Sequence, residues 1–381
     1  MKIALVIERM DPRRGGRERS TAQIARHLAE AGCGVNILCY QADWQDTGVN
    51  VRLLPIAKAG RLETLRRFNQ AVSDEVANGD YDIVHGTLPL ESLNVYQPRG
   101  GTLPGQRAAS LRRRRHAAKL SAWLGWKTNP VRRQLVQWER QIVESGRVRC
   151  LAVSEMVARE FQDHYGRDAE VVFNGADPPP MSPEMVESCR KHKRMALGAG
   201  PDAPVFVSIA TNWKLKAVDS VIRAFGRLVD RTGGDDARLV CIGQDEPARY
   251  ALLAEKLGLG RLVDFPGRLD DAWQWYTVAT GTVLLSWYDP CSRVVLESIG
   301  LGVPAITTRF NGAAEALTDG AGIVVDSPRA VEQVAQAMAR LADAQQRAEF
   351  QEACNVAAGR VSMHHHTEQL LSVYQKVAAS R

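Results

Sequence analysis

Hydrophobic and polar residues alternate at the start of the chain. Ile3, Leu5 and Ile7 are set against Ala4 and Val6, and this period of two predicts a strand over Lys2 to Glu8. A loop carrying Gly15 and Gly16 follows. Ala22, Ala25, Leu28 and Ala29 then keep one helical face apolar, Gly32 stops the helix, and Val35 to Tyr40 reads as the next strand. Strand, helix and strand in that order build a parallel sheet. Tyr81 to His85, Cys150 to Ser154 and Glu170 to Phe173 extend it. The stretch 177–203 is rich in Pro and charge and reads as a linker. Beyond it the alternation restarts, with strands at Val205 to Ala210, Arg238 to Ile242, Val263 to Phe265, Thr282 to Ser286 and Ala305 to Thr307. Helices are expected between them at Val218 to Val229, Ala248 to Leu257 and Arg293 to Leu301.

The expected fold is α/β, with two doubly wound Rossmann-like domains facing a central cleft at the carboxyl ends of their sheets, where such folds bind ligands. The domains should cover 1–180 and 204–360, with 181–203 as linker and 361–381 as a terminal helix crossing back to the first domain. A length of 381 residues with 45% hydrophobic and 24% charged side chains supports two cores and excludes a disordered or disulfide-stapled chain. No run of 18 apolar residues occurs, and the MKIALVIERMD start becomes charged too soon for a secretion signal, so a cytoplasmic protein is expected. The seven cysteines show no CxxC spacing and read as reduced thiols.

Charge is uneven. Residues 92–138 contain no Asp or Glu but ten cations, more than the whole net charge of +6. Among them are Arg112, Arg113, Arg114, Arg115 and Lys119, interleaved with Leu120, Trp123, Leu124 and Trp126. A basic amphipathic stretch edged by Trp suits an anionic membrane surface, at roughly 1 kcal/mol per basic residue near the lipid. Nucleic acid is the rival partner for an arginine run, but no nucleic-acid motif accompanies it. A solvated loop is the plain alternative.

Three places carry candidate chemistry. Gly15 and Gly16 precede a helix, so exposed amides could meet a phosphate there, although the spacing is not GxGxxG and a glycine pair commonly marks only a turn. Lys214 and Lys216 follow the first strand of the second half, where two ammonium groups would neutralise a diphosphate leaving group, or simply lie solvated at a helix start. In SWYDPCSRVVLESIG, Asp289 ends a strand, Ser292 and Arg293 open a helix, and Glu297 sits one turn in. Carboxylates grip sugar diols with paired acceptor oxygens, and the helix dipole favours phosphate. His85 at a strand end could face an acceptor or be structural. Asp80 and Asp82 read as turn residues and His364 to His366 have no further ligand in view, so no metal is assigned.

Together these motifs resemble the retaining GT-B glycosyltransferases of family 4. The resemblance rests on Asp289, seven residues, then Glu297; on Gly302-Val303-Pro304-Ala305 and Asn311-Gly312-Ala313-Ala314-Glu315; and on Gly15-Gly16, Val153-Ser154, Asn174-Gly175-Ala176-Asp177 and the Lys216 region. Through Tyr81 to Gly86, Leu93 to Tyr96 and the basic insertion, the chain is most similar to lipopolysaccharide core glucosyltransferases that act on a heptose. The resemblance implies that Glu297 binds ribose, that Asp289 and the amides of Cys291, Ser292, Arg293 and Val294 hold sugar and phosphates, and that Lys216 meets the diphosphate. It implies Gly15 and Gly16 closing over the phosphates and Gly267 and Arg268 near the base. The family's usual first acid is Glu where this chain has Asp289, and its common Arg is Ala210 here, which makes Lys214 the candidate substitute.

The implied activity is transfer of a sugar, glucose from UDP-glucose first among candidates, to a lipid-linked saccharide such as a lipopolysaccharide core. Configuration would be retained, with no metal or cofactor, at the inner face of the cytoplasmic membrane, and Lys216, Asp289 and His85 would carry the chemistry. A nucleotide-sugar 2-epimerase and a non-catalytic binder of nucleotide sugar and membrane are the alternatives.

Overall fold

The computed structural model describes residues 1–114, 116–233 and 236–380. The chain divides into two units: Met1–Gly175 with the terminal segment from Met363, and Ala176–Ser362. In unit 1, β1 (Lys2–Val6), β2 (Gly34–Cys39), β3 (Val49–Leu53), β4 (Ile83–Gly86), β5 (Val95–Tyr96), β6 (Arg149–Ala152) and β7 (Glu170–Val171) form a sheet of order β3-β2-β1-β4-β5-β6-β7. In unit 2, β8 (Val205–Ile209), β9 (Arg238–Ile242), β10 (Val263–Gly267), β11 (Gly281–Leu284), β12 (Ala305–Thr308) and β13 (Gly322–Val325) take the order β10-β9-β8-β11-β12-β13. All neighbours in both sheets run parallel. Both units therefore have the Rossmann order, whose direction reverses between the first and fourth strands. Ligand sites in such sheets lie at the carboxyl ends flanking that reversal.

The central strands are buried on both faces, which is why β1 carries Ile3, Ala4, Leu5 and Val6 without a polar interruption. Ile3 pairs with Val35 on one side and with Ile83 on the other. The helix Gly16–Glu30 covers this sheet with Ala25 and Leu28 and stops before Gly32, which takes φ +81. Met363, Leu370, Val373 and Tyr374 of the terminal helix Met363–Ala379 share that core. In unit 2, Val205, Val207, Val240 and Ile242 pack with Trp275 and Leu197.

The linker reading needs correction. Within 181–203 lies a helix, Pro183–Ala196, capped by Ser182, whose side chain accepts from the Met185 amide. It belongs to unit 2, with Leu197 just beyond its end in that core. Its face is polar because the helix is largely exposed, so its sequence resembles a tether. The strands β3, β5 and β13 were also outside the sequence expectation.

The basic stretch folds into three helices, Leu103–Arg112, His116–Thr128 and Pro130–Glu144. Its root is held by carboxylates. Glu139, with no solvent exposure, accepts from Tyr96 Oη at 2.6 Å, Tyr165 Oη at 2.5 Å and the Leu103 amide at 2.9 Å. Glu160 accepts from the Thr102 amide and hydroxyl. Gly105 leaves room for this carboxylate, since a Cβ would stand 2.3 Å from it and displace it from Thr102.

Candidate active site

In unit 2 the loops after β8 and β11 flank the sheet reversal. Trp213, fully buried, pins the first loop: its indole donates to Ala210 O at 3.0 Å, its amide donates to Asp245 at 2.9 Å, and its ring meets Tyr250 edge-on at 5.0 Å. Gly243 makes room for this pin, because a Cβ would fall 1.8 Å from Ala210 O. Ala217 takes φ 45 at the start of the helix Val218–Thr232, a left-handed conformation that costs an alanine about 1 kcal/mol. The strain is accepted at the residue after Lys216, where it sets the direction of the turn.

Lys216 and Asp289 come together. The Lys216 ammonium donates to Asp289 and to Ser286 Oγ, the latter at 3.2 Å, and both charged side chains are only about 15% exposed. The loop carrying Asp289 is stitched to the one after β12: the Asp289 amide donates to Phe310 O and the Gly312 amide to Asp289 O, each at 2.9 Å. Asn311 completes the stitching. It is 1% exposed, accepts from the Ser292 and Ala313 amides at 3.1 Å, and donates to Thr307 Oγ1 at 2.9 Å. Of the amides expected to hold phosphate, that of Ser292 is thus already committed inside the protein. In the sequence the available signal for Asn311 was an Asn set between Phe310 and Gly312 in the turn motif.

The helix Arg293–Gly300 buries Val295, Leu296 and Ile299 completely, while Val294 is half-buried and its carbonyl accepts from Tyr276 Oη at 3.2 Å. Cys291 lies buried just before the helix. Arg293 and Glu297 form an i,i+4 pair at 3.0 Å, with side chains 9% and 13% exposed. Lys214 is exposed, whereas Lys216 is half-buried. Gly267, at φ +79, ends β10 at the sheet edge, and Arg268 just beyond it approaches Asp270 at 3.8 Å.

In unit 1 the reversal lies between β1 and β4. Gly15, in extended backbone, precedes the helix that begins at Gly16, and Glu18 is buried in its first turn. His85 does not face solvent, which corrects its expected role. It is 4% exposed, with Nδ1 2.5 Å from Tyr374 Oη, and burial, aided by the Arg99 charge, lowers its pKa from 6.5 to about 3. A neutral, enclosed imidazole is a structural tie between β4 and the terminal helix. Of the histidine run, His366 is also buried, with Nδ1 2.6 Å from Phe173 O and Nε2 2.8 Å from Arg99. Among the described residues no group of His, Cys, Asp and Glu could hold a metal ion.

The basic arm differs in detail from its expected form. Trp126 is buried beneath the Arg132 guanidinium, 4.5 Å from its ring centre, and so cannot edge a membrane face. Trp123 is half-buried with the Lys127 ammonium 3.9 Å above it. Arg113 and Arg114 are half-buried, Arg114 donating to Ser110 O, and Arg115 lies outside the described residues. Arg112 and Lys119 are exposed, and Leu120 and Leu124 stand 60% and 47% exposed one turn apart. No described helix is long and apolar enough to cross a membrane.

Two Rossmann-like units, one with a charged cluster at its sheet reversal, define the GT-B fold. The model described as Glycosyltransferase Family 4 matches residues 14–179, and that described as Glycosyl transferases group 1 matches 190–358. The chain belongs to the GT-B glycosyltransferases, and it is a glycosyltransferase. It is 28% identical to the D-inositol 3-phosphate glycosyltransferase of Nocardiopsis dassonvillei, over 96% of this chain and 91% of that one. It is 26% identical to the lipopolysaccharide glucosyltransferase WaaG of Escherichia coli, over 53% and 55% of the two chains. A crystal structure of WaaG superposes with a TM-score of 0.80 at 20% identity, covering 98% of this chain and 99% of that one. Anabaena HepE in complex with UDP-glucose gives 0.69 at 17% identity, covering 100% and 99%.

Proposed function

We propose that the protein transfers a hexose, glucose from UDP-glucose as first candidate, to a lipid-linked saccharide with retention of configuration and without a metal. The observation that carries this reading is the Lys216–Asp289 pair beside Ser286, ahead of the helix that bears Glu297. A donor would break the pair. Its diphosphate takes the Lys216 ammonium, which frees the Asp289 carboxylate to accept from sugar hydroxyls, while Glu297 accepts from the ribose diol. The C1–O bond to the diphosphate then breaks, the charge growing on the departing phosphate is met by Lys216 and the helix terminus, and the acceptor oxygen bonds to C1 from the same face. Its proton passes to the released diphosphate. UDP-glucose is favoured by the likeness to a fold that binds it in HepE.

A lipid-linked acceptor is favoured by Leu120, Leu124, Lys119 and Arg112, an exposed apolar and basic combination suited to the anionic inner face of the cytoplasmic membrane. A second reading, a soluble phosphorylated acceptor, is favoured by the near full-length likeness to D-inositol 3-phosphate glycosyltransferases. The test begins with calorimetric binding of UDP, GDP and ADP, then of UDP-sugars. Transfer of labelled sugar is followed next, with a core glycolipid or inositol phosphate as acceptor. Product on the glycolipid supports the first reading, product on inositol phosphate the second, and free sugar released without acceptor would turn the assignment toward an epimerase.

A further inference from the structure

Arg293 occupies a position that the donor-binding reading uses only for its backbone amide, yet its side chain is built into the same helix turn. Its side chain is 9% exposed and its guanidinium donates through Nη2 to Glu297 Oε1 at 3.0 Å, the Glu297 side chain being 13% exposed. The helix has eight residues, with Val295, Leu296 and Ile299 sealed in the core, so neither partner can move far without unpacking it. A carboxylate so little exposed would rotate about its last bonds if nothing fixed it. A charge-assisted donor on one oxygen fixes the plane and leaves the other oxygen to accept. A carboxylate so fixed suits two adjacent hydroxyls, because the other oxygen and the second lone pair of the clamped one are held in one orientation.

We propose that Arg293 is a positioning residue that clamps Glu297 in the orientation needed to read the 2′ and 3′ hydroxyls of a ribonucleoside diphosphate. This rests on the reading that Glu297 binds ribose. It assigns specificity for the ribose to a pair rather than to one carboxylate, and it predicts that the effect of Arg293 vanishes when the hydroxyls are absent.

The experiment compares calorimetric affinities for UDP and 2′,3′-dideoxy-UDP, or the matching pair for whichever of UDP, GDP and ADP binds. The proteins are the full-length wild type, Arg293→Gln, Arg293→Lys, Glu297→Gln and the double variant Arg293→Gln with Glu297→Gln. Arg293→Gln should weaken the ribonucleotide about tenfold, the dideoxynucleotide being unaffected. Arg293→Lys should fall between, since it keeps one charged donor, and it serves alone if the glutamine variant does not fold. The double variant should bind no more weakly than Glu297→Gln. Equal loss for both nucleotides would mean that Arg293 touches phosphate, and would overturn the proposal. So would a Glu297→Gln variant that loses the ribose preference beside an Arg293→Gln variant that keeps it. A Glu297→Gln variant that keeps the preference would instead remove the ribose reading on which the proposal stands.

Discussion

Acidifying the solution from about pH 7.5 to about pH 5 should cost the first unit about 2 kcal/mol through His85 alone. The ring is 4% exposed and, by burial first and the Arg99 charge second, has its pKa lowered from 6.5 to about 3. The unfolded chain titrates near the ordinary value. Above that value the ring is neutral in both states and the term is zero. Below it the unfolded state takes up a proton that the folded state refuses, so stability drops by about 1.4 kcal/mol per pH unit until the folded pKa is reached. At about pH 5 the unfolded ring is about 1.5 units past its midpoint while the folded ring is still neutral, which gives the stated figure. His85→Asn removes the titration and keeps a polar group within reach of Tyr374. Urea unfolding of wild type and variant at both pH values isolates the term, because His366 and the carboxylates are common to both proteins and cancel. The acid-induced loss should be about 2 kcal/mol larger in the wild type. Parallel losses in the two proteins would refute the argument that this ring is held neutral.

Three further outcomes follow from the geometry of the site and the arm. Lys216→Ala should lower kcat by about 100- to 1000-fold with donor affinity changed only severalfold, read by steady-state kinetics; a loss confined to affinity would contradict a role at the leaving group. Trp213→Ala should cost about 3–5 kcal/mol in chemical unfolding, and a cost below about 1 kcal/mol would mean that the Lys216 loop does not depend on its buried pin. Leu120→Asp with Leu124→Asp should abolish co-sedimentation with anionic vesicles while nucleotide binding is kept, and vesicle binding that survives would locate any membrane contact elsewhere on the protein.

The alternation of Ile3 and Leu5, and the helical spacing of Val218 to Val229, made both sheets readable because central parallel strands are nearly pure hydrophobe. What escaped the pattern was peripheral. In β3 only Val49 is buried, so Val49–Leu53 lacks the signal, and β5 is two residues long. The helix Pro183–Ala196 is polar because no face of it is fully buried, and polarity was read as linker. At the candidate site, residue type and spacing singled out Lys216, Asp289 and Glu297. The pairing of Lys216 with Asp289 and the stitching by Asn311 were not, since both join loops about 20 to 70 residues apart whose proximity only the strand order creates. His85 misled because a lone imidazole reads the same whether it faces a ligand or a tyrosine 289 residues away.

That tyrosine belongs to the last helix, whose Met363, Leu370, Val373 and Tyr374 complete a core begun by Ile3 and Leu5. The chain is therefore made in an order that its first unit cannot use. When Gly175 leaves the ribosome, the sheet of unit 1 still lacks the helix that covers part of it, and residues 176–362 must be synthesised first. At ordinary elongation rates that interval is roughly 10–40 s. For that time an apolar sheet face and the Tyr374-seeking His85 are open to whatever the nascent chain meets, while unit 2, contiguous in sequence, can finish folding before unit 1.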